Sequence, residues 1–191
     1  LFFTFYALLT NYHILCYNIY SEVHMILYLQ IAVALIFFVN KVLVLVGRKS
    51  GWLVGAVAAT LGLFYFYLIG LYIYTALEVC LIILMSYAFL KKSERSVRVE
   101  TALRIGTTVM MIAIALFAFS GGLTVVELIS CTGLLWGTYL MTSGSLTTGW
   151  ALCGVAHVFA SYLGYGRGQV VFADFQVASS IVSLIGATTK K

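Results

Sequence analysis

The sequence predicts an all-α membrane protein with seven transmembrane helices arranged as 3+1+3 parallel repeats. Three observations carry that expectation. Of 191 residues, 63% are hydrophobic and only 9% charged, whereas soluble domains carry roughly 25% charge. So little polar surface cannot cover a water-soluble globule, so the solvent is lipid. Most of the chain falls into apolar runs close to the ~20 residues that span a bilayer as a helix. Runs such as MMIAIALFAF (110–119) lack the alternation of a barrel strand, and lipid-exposed backbone outside a barrel must be helical. Finally, GWLVGAVAATLGLFYFYLIGLYIYTALE (51–78) returns without a gap as GWALCGVAHVFASYLGYGRGQVVFADFQ (149–176). The shift is 150 − 52 = 98 residues. It makes Gly51/Gly149, Trp52/Trp150, Val57/Val155, Ala58/Ala156, Tyr67/Tyr165 and Gly70/Gly168 identical, and sets Glu78 against Gln176. Duplication in a membrane chain points first to transport.

Taken in order, Leu1–Tyr20 is apolar but interrupted by Asn11, His13 and Asn18, and without a basic start it makes a poor signal peptide. Met25 opens the first clean span. Either Met25 is the natural start, or residues 1–24 form an interfacial extension; both readings stay open. Seven spans follow, at 25–46, 51–69, 72–90, 100–118, 122–142, 149–164 and 169–187. Residues 25–90 form the first triple-helix repeat, 91–121 a loop and linker helix, and 122–191 the second repeat. Three helices are an odd number, so the next triplet would enter inverted. One linker helix restores the direction and makes the repeats parallel. With 0 prolines, hinges fall to Gly55, Gly62, Gly70, Gly154 and Gly164.

The net charge of +5 is no nucleic-acid signal, because the bases sit at helix ends. Arg48, Lys49, Lys91, Lys92, Arg95, Arg98, Lys190 and Lys191 fall on one side, against Arg167 alone on the other. The basic side is expected in the cytoplasm, with Met25 outside and the C-terminus inside. Lys41 and Arg104 lie within spans, close enough to the basic side to snorkel to it.

Polar residues inside spans are costly and often functional. Glu78, Glu127, Asp174 and Gln176 each fall one to two turns from the outer end of a span. They suggest an acidic site for a cationic or hydroxyl-rich solute; the alternative is hydrogen bonding between helices. His157 lies mid-span, one turn from Ser161. The aromatics around Gly70, among them Tyr67 and Tyr74, read as an interfacial belt or as rings stacking on a flat ligand. Trp52 and Trp150 read as interface anchors or solute contacts, and Trp136 lies deeper in its span.

Other chemistries lack support. Cys16, Cys80, Cys131 and Cys153 are isolated in apolar runs and suggest neither disulfides nor zinc. Gly164-Tyr-Gly166-Arg-Gly168 follows no strand and reads as a turn, not a dinucleotide fingerprint. Ser161 and His157 share one helix without a nucleophile elbow. No enzyme, cofactor or metal site is expected. The partners are lipid and a small-molecule substrate, and assembly of several copies is left open.

WLVG (52–55), FYFY (64–67), and GLY followed by TALE (70–78) resemble the first repeat of PnuC-type nicotinamide riboside transporters, approximately W-P-x-G, aromatics, then G-L-Y-x-D-x-L-L-Q. The likeness runs from Met25 to the C-terminus and includes the 3+1+3 layout. It implies a facilitator in a bacterial inner membrane for nicotinamide riboside or a related vitamin precursor, with the ring among aromatics and the ribose on polar side chains. By position, Glu78 stands where the family has Gln, with Gln176 its equivalent in the second repeat. Tyr74 replaces Asp, His157 falls near an Asn or Asp, and Leu53 replaces Pro. A carboxylate at Glu78 is expected to favour a cation. The second half is also similar to small inner-membrane proteins of the YgjV type. SWEET and PQ-loop proteins share the parallel triplet plan, but their signature needs proline in each repeat.

Overall fold

The structure is a computed structural model that describes the backbone of residues 2–91, 97–118 and 122–189, and the side chains of 24–91, 98–114, 116–117 and 125–189. Lys92, Arg95, Lys190, Lys191 and the break at Ser120 lie outside those residues. Seven helices and no strand are found among the described residues: α1 (Phe2–Leu45), α2 (Ser50–Leu68), α3 (Tyr72–Leu90), α4 (Val97–Ala118), α5 (Gly122–Thr142), α6 (Leu146–Gly166) and α7 (Val170–Thr189). All but α4 carry a described span long and apolar enough to cross a membrane. The chain is a helical, multi-pass membrane protein. No break separates residues 2–24 from the first span: α1 runs for 44 residues, or about 66 Å at ~1.5 Å per residue.

Helices α1, α2 and α3 pack in sequence, as do α5, α6 and α7. α3 then packs on α5, and α7 returns to α1, closing a ring of six. α4 lies against α3 and α5, outside that ring.

Glycine ends the helices here, in place of proline. After α2, the Gly70 N–H donates to the Tyr67 carbonyl at 3.2 Å and the Leu71 N–H to Phe66 at 2.9 Å. After α6, Gly168 donates to Tyr165 at 3.1 Å and Gln169 to Gly164 at 2.8 Å. These are paired Schellman closures, which satisfy carbonyls the helix end would leave bare. They need a left-handed residue, and Gly70 and Gly168 have φ of +73° and +70°. The same closure, at Gly47 and Gly144, joins α1 to α2 and α5 to α6.

Small residues set how closely the helices approach, as membrane helices require. On α5, Gly133 and Gly137 lie one turn apart on one face. A Cβ on Gly137 would stand 2.5 Å from Cys153 Sγ and 2.9 Å from the Gly149 carbonyl of α6. One on Gly133 would meet the Ala156 Cβ at 2.7 Å. In α2, Gly51 abuts Val44, Gly55 abuts Asn40 and Met85, and Gly62 abuts the Glu78 carboxyl.

Residues 98 apart occupy similar surroundings. Val57 and Val155 are 50% and 55% exposed, Tyr67 and Tyr165 62% and 51%, and Glu78 and Gln176 3% and 6%. At one end of the bundle, the Lys49 ammonium donates to the Lys91 carbonyl at 3.1 Å. Lys91 in turn pairs with Glu100 at 2.5 Å, so the starts of α2 and α4 meet the end of α3 there.

Candidate functional site

The six helices of the ring enclose a cavity of about 70 Å³. That is room for a few waters and well below the ~300–1,000 Å³ of a typical small-molecule site. No described residue of α4 lines it.

α1 presents Gln30, Val33, Ala34, Phe37, Asn40, Lys41 and Val44 to the cavity, spaced as one helix face. Asn40 Nδ2 donates to the Gly51 carbonyl at 2.8 Å and so ties α1 to α2. Lys41 does not snorkel to the basic end. Its Nζ lies 2.5 Å from His157 Nε2 on α6, and His157 Nδ1 lies 2.5 Å from Gln176 Oε1 on α7. An amide oxygen can only accept, so Nδ1 carries the imidazole proton and Nε2 accepts from the ammonium. One chain of bonds thus joins α1, α6 and α7 through a neutral imidazole.

Glu78 faces the same cavity from α3. It is 3% exposed, and its Oε2 is buried without a hydrogen-bond partner. Tyr74, one turn before it, also faces the cavity; its hydroxyl bonds Ser130 Oγ at 2.7 Å, and Ser130 donates to the Ala156 carbonyl at 3.0 Å. Tyr74 packs with Phe66 and Phe172 as an aromatic wall, with ring centroids 4.9–5.8 Å apart.

Side chains narrow the cavity at both ends. Toward the Gly70 and Gly168 turns, the Gln169 amide oxygen accepts from Gln30 at 3.2 Å and from the Tyr65 hydroxyl at 3.1 Å. Toward the basic end, Val44, Trp52, Met141 and Trp150 separate the cavity from a recess of about 240 Å³ beside Gly47, Arg48 and Lys49. Trp150 is 2% exposed and packs on Gly186, where an added Cβ would fall 2.5 Å from the indole.

Six of the ten candidate residues therefore meet at the cavity: Glu78, Gln176, His157, Trp52, Trp150 and Tyr74. Four do not line it. Glu127 accepts from the Tyr74 backbone N–H at 3.3 Å and lies 3.6 Å from Arg167, a carboxylate on the first turn of α3 where the helix dipole favours it. Asp174 is exposed and accepts from the Tyr165 hydroxyl at 2.5 Å. Tyr67 is exposed beside Tyr72. Trp136 packs on Tyr139, and the Arg104 guanidinium lies 5.9 Å from its ring. The aromatics near Gly70 thus divide by helix face: Tyr65, Phe66 and Tyr74 turn inward, while Phe64, Tyr67 and Tyr72 turn outward.

Sequence reasoning missed Gln30, Asn40 and Lys41 as lining residues. A usable signal was present, since Gln30, Asn40 and Lys41 fall on one stripe of an otherwise apolar helix. Among the described residues, no group of three or more His, Cys, Asp or Glu could hold a metal ion. Comparison with protein-family models, with curated proteins and with solved structures finds no match.

Proposed function

We propose that this chain is a membrane facilitator for a small solute, nicotinamide riboside or a related vitamin- or nucleoside-like compound, bound between two parallel triple-helix repeats. The observation that carries this reading is a narrow cavity between the two triplets whose mainly apolar and aromatic wall carries a few polar side chains, among them Gln30, Asn40, Lys41, Glu78, His157 and Gln176. Its walls include repeat mates from both halves: Glu78 with Gln176, Trp52 with Trp150, and Asn40 with Thr138. Similar exposure of most residues 98 apart supports the duplication, as do the matching glycine turns. The packing of α1 on α7 and α3 on α5 supports it further, since each joins the first helix of one triplet to the third of the other. α4 is the linker in this reading.

In this reading, alternating access opens two side-chain layers in turn. The outer one is the Gln30–Tyr65–Gln169 cluster, and the inner one the Trp52 and Trp150 layer. In this reading Arg48, Lys49, Lys91 and Arg98 face the cytoplasm, as the positive-inside bias favours, and the membrane is the bacterial inner membrane that the family resemblance implies. The test of function is uptake of labelled nicotinamide riboside and of neutral nucleosides by proteoliposomes holding the purified chain. Saturable uptake that an excess of unlabelled solute competes supports transport; binding without uptake would favour a membrane sensor. Orientation is tested separately. A cysteine at Tyr72 is expected to react with an impermeant maleimide in intact cells, while one at Lys49 reacts only after lysis. The reverse pattern would invert the topology.

A further inference from the structure

Resting on the reading of the cavity as a solute site, we propose that Glu78 exchanges a proton for an organic cation: the empty cavity holds the carboxylic acid, and an entering cation takes the place of its proton. Glu78 faces the cavity from α3, is 3% exposed, and packs its carboxyl on Gly62 of α2. Its Oε2 is buried without a hydrogen-bond partner, and no ion pair reaches it among the described residues. A carboxylate taken out of water with neither counter-ion nor donor is far costlier than the acid, so the proton stays on Glu78 while the cavity is empty. Glu127 shows the contrast. It has the Arg167 guanidinium at 3.6 Å and the Tyr74 backbone N–H at 3.3 Å to satisfy a charge. What Glu78 lacks is a cation, and the cavity is where one can arrive.

The other titratable groups near Glu78 have work of their own. On α3, the Tyr74 hydroxyl bonds Ser130, and Cys80 turns to the Thr107 carbonyl of α4, away from the cavity. From α2, Tyr65 bonds Gln169. α5 brings Glu127, already paired, and the buried Cys131. α1 and α6 bring Lys41, His157 and Cys153 to the cavity wall, with Lys41 bonded to His157. α7 presents Gln176, which does not titrate. A second cation entering a cavity that already holds the Lys41 ammonium would raise the charge of a low-dielectric site. Loss of the Glu78 proton cancels that increase. The O–H bond breaks, the proton passes to water on the side from which the solute came, and the carboxylate pairs with the cation. Tyr74, one turn away, with Phe66 and Phe172 packed on it, adds ring faces that an organic cation favours. Nicotinamide riboside, with its permanently positive pyridinium ring, is a solute of this class. When the cation leaves on the far side, Glu78 takes a proton from there. One cation thus enters as one proton leaves, and no net charge crosses the membrane.

The test uses 1-methylnicotinamide, a pyridinium cation, with the full chain in lipid nanodiscs. Calorimetry in buffers of different ionisation enthalpy counts the protons released on binding. Wild type is expected to release one per cation, and its affinity to rise about tenfold for each pH unit while the empty site holds its proton. Infrared difference spectra are expected to show a protonated-carboxyl C=O band lost as the cation binds, which a proton drawn from Lys41 would not produce. In proteoliposomes, an acidic lumen is expected to speed uptake of the cation, whereas an inside-negative potential leaves steady uptake unchanged. Glu78→Gln is expected to abolish proton release, and Lys41→Met to keep it. The wild-type measurements stand alone if a variant fails to fold. Binding without proton release, an unchanged carboxyl band, uptake driven by the potential, or proton release that survives Glu78→Gln overturns the exchange and leaves transport standing. Failure of the cation to bind, together with absent uptake of ribosides, overturns the solute site itself.

Discussion

Replacing Gly137 with valine is expected to cost about 3 kcal/mol or more and to abolish the monodisperse folded protein. Overpacking a tight core usually costs about 1–3 kcal/mol because side chains yield. At Gly137 the obstruction includes backbone: the Gly149 carbonyl at 2.9 Å and the Cys153 nitrogen at 3.1 Å. Relief requires α5 and α6 to separate. That would also break the bond from Ser130 Oγ to the Ala156 carbonyl two turns away, at 3.0 Å. Size-exclusion chromatography and thermal melting in detergent read the outcome. Gly106→Val on α4 is the control, since nothing lies within 4 Å of a Cβ there. A Gly137→Val protein that melts like wild type would show that the α5–α6 crossing is looser than described.

The second large effect is expected at His157. Leucine there removes the acceptor that Lys41 uses and the donor that Gln176 Oε1 receives. A lost hydrogen bond to a charged group is worth about 1.5–3 kcal/mol, and a stranded polar partner adds about 1–3 kcal/mol. We expect a loss near 3 kcal/mol, with part of it recovered in Lys41→Met/His157→Leu, where no buried ammonium is left without a partner. The double-mutant cycle measures that coupling. Additive effects would mean that the two side chains do not meet in the folded protein.

The membrane class and the helix ends at the glycine turns were legible because they depend on chain-local physics, whereas the start of α1 at Phe2 was not. Apolar length decides what crosses lipid, and glycine in a proline-free chain decides where a helix stops, so Gly70 and Gly168 could be read directly. Glu78, Gln176 and His157 stood out because polar atoms in an apolar run are rare. What could not be read was direction around the helix axis. Tyr67 and Tyr74 have the same chemistry, yet one faces outward and the other the cavity. Glu127 and Glu78 are both buried carboxyl groups, yet Glu127 meets the α3 backbone and Arg167 while Glu78 packs on Gly62 and leaves Oε2 without a hydrogen-bond partner. Lys41 is the clearest case. Its distance from the basic end allowed snorkelling, and only the arrival of His157 from a helix 116 residues further on turns it inward.

That separation has a consequence for biosynthesis. At ~5–20 residues per second, the ribosome delivers His157 about 6–23 s after Lys41. Gln30 waits longer still for Gln169, 139 residues downstream. Throughout that interval the first helix sits in the bilayer or its insertion machinery with a charge whose final acceptor does not yet exist. Reaching back toward the basic surface is then the low-cost posture for Lys41, so the snorkelled orientation describes the nascent helix and the inward one the finished protein. The last two helices to be made therefore act as the clasp: until α6 and α7 have inserted, the membrane holds a row of helices with no interior.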